Sequence, residues 1–136
     1  MSGQHETSDE AAFISDLISR LQAATEPSVS LDLDIAEAIG WEVDRIGEAV
    51  LIEAGVGPRD RWACVEPYTG SIDAALTAKP ASANCHGYEA YPREVEAWVS
   101  RNKVSDGHWF VGAEHSCSPA IAMCIAILKA RNAGHV

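Results

Sequence analysis

The sequence predicts an α+β domain, a small antiparallel sheet of about four strands sandwiched by about four helices with the C-terminal helix at its centre. Three features lead there. Apolar residues recur at helical intervals near both ends of the chain. Residues 94–113 instead alternate apolar and polar, as the arms of a β-hairpin do. The length, 136 residues, suits one domain that buries its own core without disulfides or metal.

Residues 1–7 are polar and without periodicity, which predicts a disordered N-terminus ahead of a single domain over residues 8–136. Thr7 and Glu10 stand at capping-box spacing, and Phe13, Ile14, Leu17, Ile18 and Leu21 follow on one helical face. They predict a first helix over about residues 8–24, ended by Glu26-Pro27-Ser28. Ser30 is the expected cap of a second helix, lined by Leu31, Ile35, Ala38 and Ile39 and stopped by Gly40. Residues 49–52 and 61–66 read as short strands about a turn at 55–60. Thr69 or Ser71 caps a short third helix, with Ile72, Ala75 and Leu76 on one face, and Pro80 ends it. Residues 80–93, rich in Ala, Ser, Asn, Gly, Tyr and Pro, are expected to form a long loop.

In the hairpin, Val95, Ala97 and Val99 face one way, and Glu94, Glu96, Trp98 and Ser100 the other. Ser105-Asp106-Gly107 supplies the turn, after which Trp109, Val111 and Ala113 resume the alternation. The last helix has Ser118 as N-cap and Pro119 in its first turn, where the missing amide hydrogen is not needed. Residues 121–128 are apolar nearly all round, so this helix must be covered on every side. Lys129 and Arg131 complement its C-terminal dipole, and Gly134 stops it.

Composition is ordinary for a globular protein, with 47% hydrophobic and 22% charged residues. No apolar run reaches the roughly 18 residues of a membrane span, and residues 1–10 lack the basic and apolar regions of a secretory leader. A cytoplasmic protein without membrane partners is expected, with Cys64, Cys85, Cys117 and Cys124 as free thiols. The net charge of −10 is unevenly placed: residues 1–58 carry twelve acids against Arg20 and Arg45, whereas residues 59–136 carry eight of each sign. A pI near 4.8 argues against direct nucleic-acid binding, which needs phosphate neutralisation by clustered Lys and Arg. The acidic half suits a basic partner, or else is simply a solubilising surface.

Three segments in order carry a likeness: ISDLISRLQAATEPSVSLDLDIAEAIGW (14–41), PYTGSIDAALT (67–77) and DGHWFVGAEHSCSPAIAMCIAILKARNA (106–133). Together they resemble the phage ABA-sandwich domain family, small proteins of tailed phages and prophages with no established activity. The resemblance implies helices on both faces of an antiparallel sheet. It also implies a non-catalytic accessory protein in the host bacterial cytoplasm, binding a host protein or small ligand to blunt a defence system. The family offers no functional motif to transfer. Two stretches depart from its pattern, the inserted 42–64 region and the Cys-His-bearing loop 81–93.

The candidate binding residues are therefore Glu37, Glu42, Asp44 and Glu48, which surround the end of the second helix and the insert, together with Trp98 on the hairpin. Trp98 falls opposite the Val95, Ala97 and Val99 face, and an exposed Trp suits a protein interface. No cofactor is expected. The competing reading is a small metal- or thiol-dependent enzyme. Cys85, His86, His115 and Cys117 offer two pairs of ligands for a zinc ion, although neither pair has structural-zinc spacing. Cys117 at a helix N-terminus beside His115 would also have the setting of an activated thiol. There is no phosphate-binding loop, dinucleotide fingerprint, H-E-x-x-H or G-x-S-x-G. Homo-oligomerisation is left open.

Overall fold

The computed structural model describes residues 2–44, 50–52, 63–101 and 108–135. Among these the helices are α1 (Ser2–Ala23), α2 (Val29–Ala38), α3 (Ile72–Leu76) and α4 (Pro119–Asn132). Strands β1 (Glu42–Asp44), β2 (Val50–Ile52) and β3 (Ala63–Cys64) make a small antiparallel sheet. A larger antiparallel sheet is built in sequence order from β4 (Cys85–Ala90), β5 (Val95–Arg101) and β6 (Trp109–His115). The α+β class holds, but the principal sheet has three strands rather than about four. Glu48, Trp62 and the expected turns at 55–60 and 105–107 lie outside the described residues.

The C-terminal helix is the centre of the molecule. Every residue from Ala120 to Leu128 is buried, and so is Ala130. β5 and β6 pack on one side of α4, and α1 and α3 on others, while α2 packs on α1. The middle layer is thus α4 rather than the sheet. A helix that is apolar all round can be satisfied only by cover on every side. Its ends are closed as the sequence predicts: the Ile121 amide donates to Ser118 Oγ at 3.1 Å. At the far end Gly134 takes φ 93°, letting the His135 amide reach the Ala130 carbonyl at 3.0 Å. No described helix is long and apolar enough to cross a membrane.

Two expectations need correction. The cap of α2 is Ser28, not Ser30. Its extended backbone (φ −145°) presents Oγ to the Leu31 amide, at 3.2 Å. The 80–93 loop contains β4, a strand chosen by pairing with β5 and not by its own propensity.

Two buried polar ties clasp the elbow between α1 and α2. Thr69 donates from its amide (2.8 Å) and from its hydroxyl (2.7 Å) to Asp32 Oδ1, and accepts from the Ser28 amide at 2.9 Å. Burial pushes the Asp32 carboxyl above the usual range, against the pull of these Thr69 bonds. On the other side His115, 4% exposed, uses both ring nitrogens. Nε2 lies 2.6 Å from the Ala24 carbonyl, and Nδ1 accepts from the Cys117 (3.1 Å) and Ser118 (2.9 Å) amides. Only the neutral tautomer protonated at Nε2 satisfies all three.

Candidate partner-binding site

Alternation along β5 sends Val95, Ala97 and Val99 beneath α4, where they are 3%, 1% and 0% exposed. The same pleat turns Glu96 and Trp98 to the opposite face. Among the described residues no helix packs extensively on that opposite face.

The register arranges this open face in cross-strand rows. Glu89 of β4 pairs with Glu96 of β5, which pairs with Glu114 of β6. The next row is Gly87, Trp98 and Gly112, and beyond it stand Cys85, Ser100 and Phe110. Directly opposed residues have Cβ atoms about 4.5–5.5 Å apart, so the three glutamates form a ladder of like charge, an arrangement that destabilises a sheet.

The aromatic row depends on Gly87. A Cβ on Gly87 would lie 2.3 Å from Trp98 Cζ2 and 2.8 Å from Cε2. The indole therefore lies flat across the β4 backbone, which a side chain at 87 would prevent. A Cβ on Gly112 would stand 3.5 Å from Phe110 Cε1. Phe110 itself is 64% exposed, an unusual place for a large apolar ring.

A groove of about 640 Å³ borders this face, with Glu94, Glu96, Trp98, Phe110 and Glu114 in its lining, Gln22 of α1 beside them, and Arg93 and, from α4, Lys129 as its cations. Beside it the Tyr91 hydroxyl donates to Glu89 Oε2. That bond, then the charges of Glu89, Glu96 and Glu94, pushes the phenol up to about 12.

The other sequence-predicted residues lie elsewhere. Glu37 is exposed on the last turn of α2. It borders a second groove, of about 590 Å³, floored by Phe13, Ile14 and Ile39 and rimmed also by Asp9 and Glu10. Glu42 and Asp44 belong to β1, paired in register with Ile52 and Val50 of β2; Glu48 is outside the described residues. Trp98 and Glu37 thus border different grooves.

The four proposed zinc ligands are not brought together. Cys85 pairs with Ser100 and His115 with Val95, five residues apart on β5, or about 17 Å at the rise of a strand. His86 is exposed with Nδ1 3.5 Å from Lys79 Nζ, while both nitrogens of His115 are committed to backbone groups. These residues do not fit a shared zinc ion. Among the described residues no other group of three or more His, Cys, Asp or Glu is placed to hold a metal. Cys117 and His115 meet through the backbone rather than through the thiol. The Cys117 thiol is directed at the Thr25 carbonyl, 3.8 Å away, and the imidazole meets the Cys117 amide instead. Cys124 is buried with its thiol donating to the Tyr68 carbonyl at 3.3 Å, and burial pushes its pKa up, away from reactivity.

Sequence reasoning placed Trp98 opposite the Val95, Ala97 and Val99 face but not its neighbours on β4 and β6. The signal was the alternation 94–100, which already placed Glu96 beside it. Glu89, Gly87 and Glu114 could be added only once the register of three strands was known. Comparisons with protein-family models, curated proteins and solved structures give no match to this chain.

Proposed function

We propose that this is a non-catalytic binding protein whose partner contact is the open face of the β4–β6 sheet. One observation carries the reading. The face opposite α4 holds Trp98 laid over a glycine, an exposed Phe110 and a ladder of three glutamates. A half-buried indole beside an exposed phenylalanine and charged neighbours has the usual ingredients of a protein contact surface. In the setting implied by the family likeness, the protein is a phage or prophage accessory factor that engages a host protein in the bacterial cytoplasm and blunts a defence system. The enzyme alternative loses support because the imidazole of His115 is spent on the fold.

The test is affinity capture from bacterial lysate with the wild-type chain and with Phe110→Ser, followed by mass spectrometry of retained proteins and small molecules. Proteins held by the wild type and lost by the variant support the reading. Identical capture by the wild type and by Phe110→Ser overturns it, as does stoichiometric zinc in the purified protein.

A further inference from the structure

We infer that the open sheet face is a seat for a cationic peptide segment, with an arginine or lysine side chain lying on Trp98 and its charge held by Glu96 and Glu114. The inference rests on the reading that this face binds a protein, and it names the chemistry of the partner.

Charge complementarity selects the occupant. The carboxylate row and the aromatic row are adjacent on the face, two residues apart on each strand, or about 7 Å. A guanidinium is suited to both at once, since it stacks on an indole and pairs with a carboxylate through its planar fork. An uncharged apolar partner would cover Trp98 and Phe110 but leave the glutamates beside them desolvated and unpaired, which is unfavourable. An acidic partner would add to the repulsion. Arg93 and Lys129 line the same groove, but Glu94, Glu96 and Glu114 stand against them, with Glu89 in the same cross-strand row. The glutamate ladder opposes sheet stability by itself, and a bound cation would relieve it.

The probe is a short peptide of alternating arginine and serine, titrated into the full chain at low and physiological salt, with the citrulline version as its uncharged counterpart. The arginine peptide should bind, and more tightly at low salt. The citrulline peptide should bind at least about tenfold more weakly, the scale of losing one good charged contact. The double variant Glu96→Gln, Glu114→Gln should weaken the arginine peptide by about the same factor. A control carrying Asp9→Asn, Glu10→Gln and Glu37→Gln on the other groove should bind like the wild type, which separates a seat from attraction to an acidic protein in general. Equal binding of both peptides overturns the inference; so does equal loss in the two sets of variants, or no binding of the arginine peptide. Lysate capture separates this failure from failure of the broader reading. If Phe110→Ser loses the partner while the Glu96, Glu114 variant keeps it, the face binds a protein but not through a cation. If neither variant changes capture, the face is not the contact surface.

Discussion

The two faces of the β4–β6 sheet come from the same strands and answer to opposite demands. Beneath α4 the β5 side chains Val95, Ala97 and Val99 are small or branched, apolar and enclosed, with Val99 0% exposed. Across the pleat stand an indole held over a glycine, a phenylalanine in solvent and three opposed glutamates. The enclosed face supplies stability through apolar burial. The open face carries like charges that work against it. A sheet can tolerate such a face because the helix layer on the other side already contributes the core. Residues that weaken a fold without serving its packing are the ones to suspect of a partner.

The sharpest break between the faces should come from α4. Ile125→Ala should destabilise by about 2–5 kcal/mol, the range for truncating a buried aliphatic side chain, as read by denaturant unfolding. A loss well under about 1 kcal/mol would mean that α4 is not the middle layer. Next comes the tie that joins β6 to the elbow and to the start of α4. His115→Ala removes the partner of the Ala24 carbonyl and of the Cys117 and Ser118 amides, and should cost about 1–3 kcal/mol. Cys117→Ser should stay within about 0.5 kcal/mol, as for an exposed position. The reverse ranking would restore Cys117 as the residue that matters.

The Asp32 tie has a pH signature. Because burial raises this carboxyl in the fold, the folded chain holds its proton more tightly than the unfolded chain. The resulting stability is fully present below the ordinary value of 3.8 and is lost as pH rises through the higher folded value. Asp32→Asn keeps an oxygen for Thr69 to donate to and removes the titration. The stability profile of this variant should be flatter through that window, and an unaltered slope would show that Asp32 is not its source. The smallest effect, and the one of opposite sign, belongs to the open face. Glu96→Gln with Glu114→Gln should leave stability level or raise it by about 0.2–1 kcal/mol, the size of a relieved cross-strand repulsion. A clear loss in thermal or chemical unfolding would place these glutamates among the structural residues.

Much of the architecture was legible in the chain. The last helix could be read almost to the residue, because Ser118, Pro119 and Gly134 punctuate it and residues 121–128 leave no polar side. The β5–β6 hairpin was legible from its alternation, and with it the outward position of Trp98. β4 was not. Its sequence, CHGYEA, has little intrinsic strand preference, and Gly87 argues against a strand until the indole that needs its space is seen. The cap of α2 was misplaced because Ser28 and Ser30 are chemically alike; the backbone that Thr69 anchors at Ser28 made the choice. His115 was misread as a ligand or base because no sequence pattern announces an imidazole whose two nitrogens both go to backbone groups.

By itself the sequence determined the local periodicities, and through them the helices, the hairpin and which side chains of β5 face the core. These follow from the fixed repeats of helix and strand, 3.6 and 2 residues. Only the tertiary structure decided which segments became neighbours. It set α4 between the sheet and the other helices, drew β4 onto the edge of β5, and aligned Glu89, Glu96 and Glu114 in one row. It also parted Cys85 from His115 by the length of a strand. Proximity between distant residues depends on strand register and layer order, and those are set by the packing of the whole chain rather than by any local run of residues.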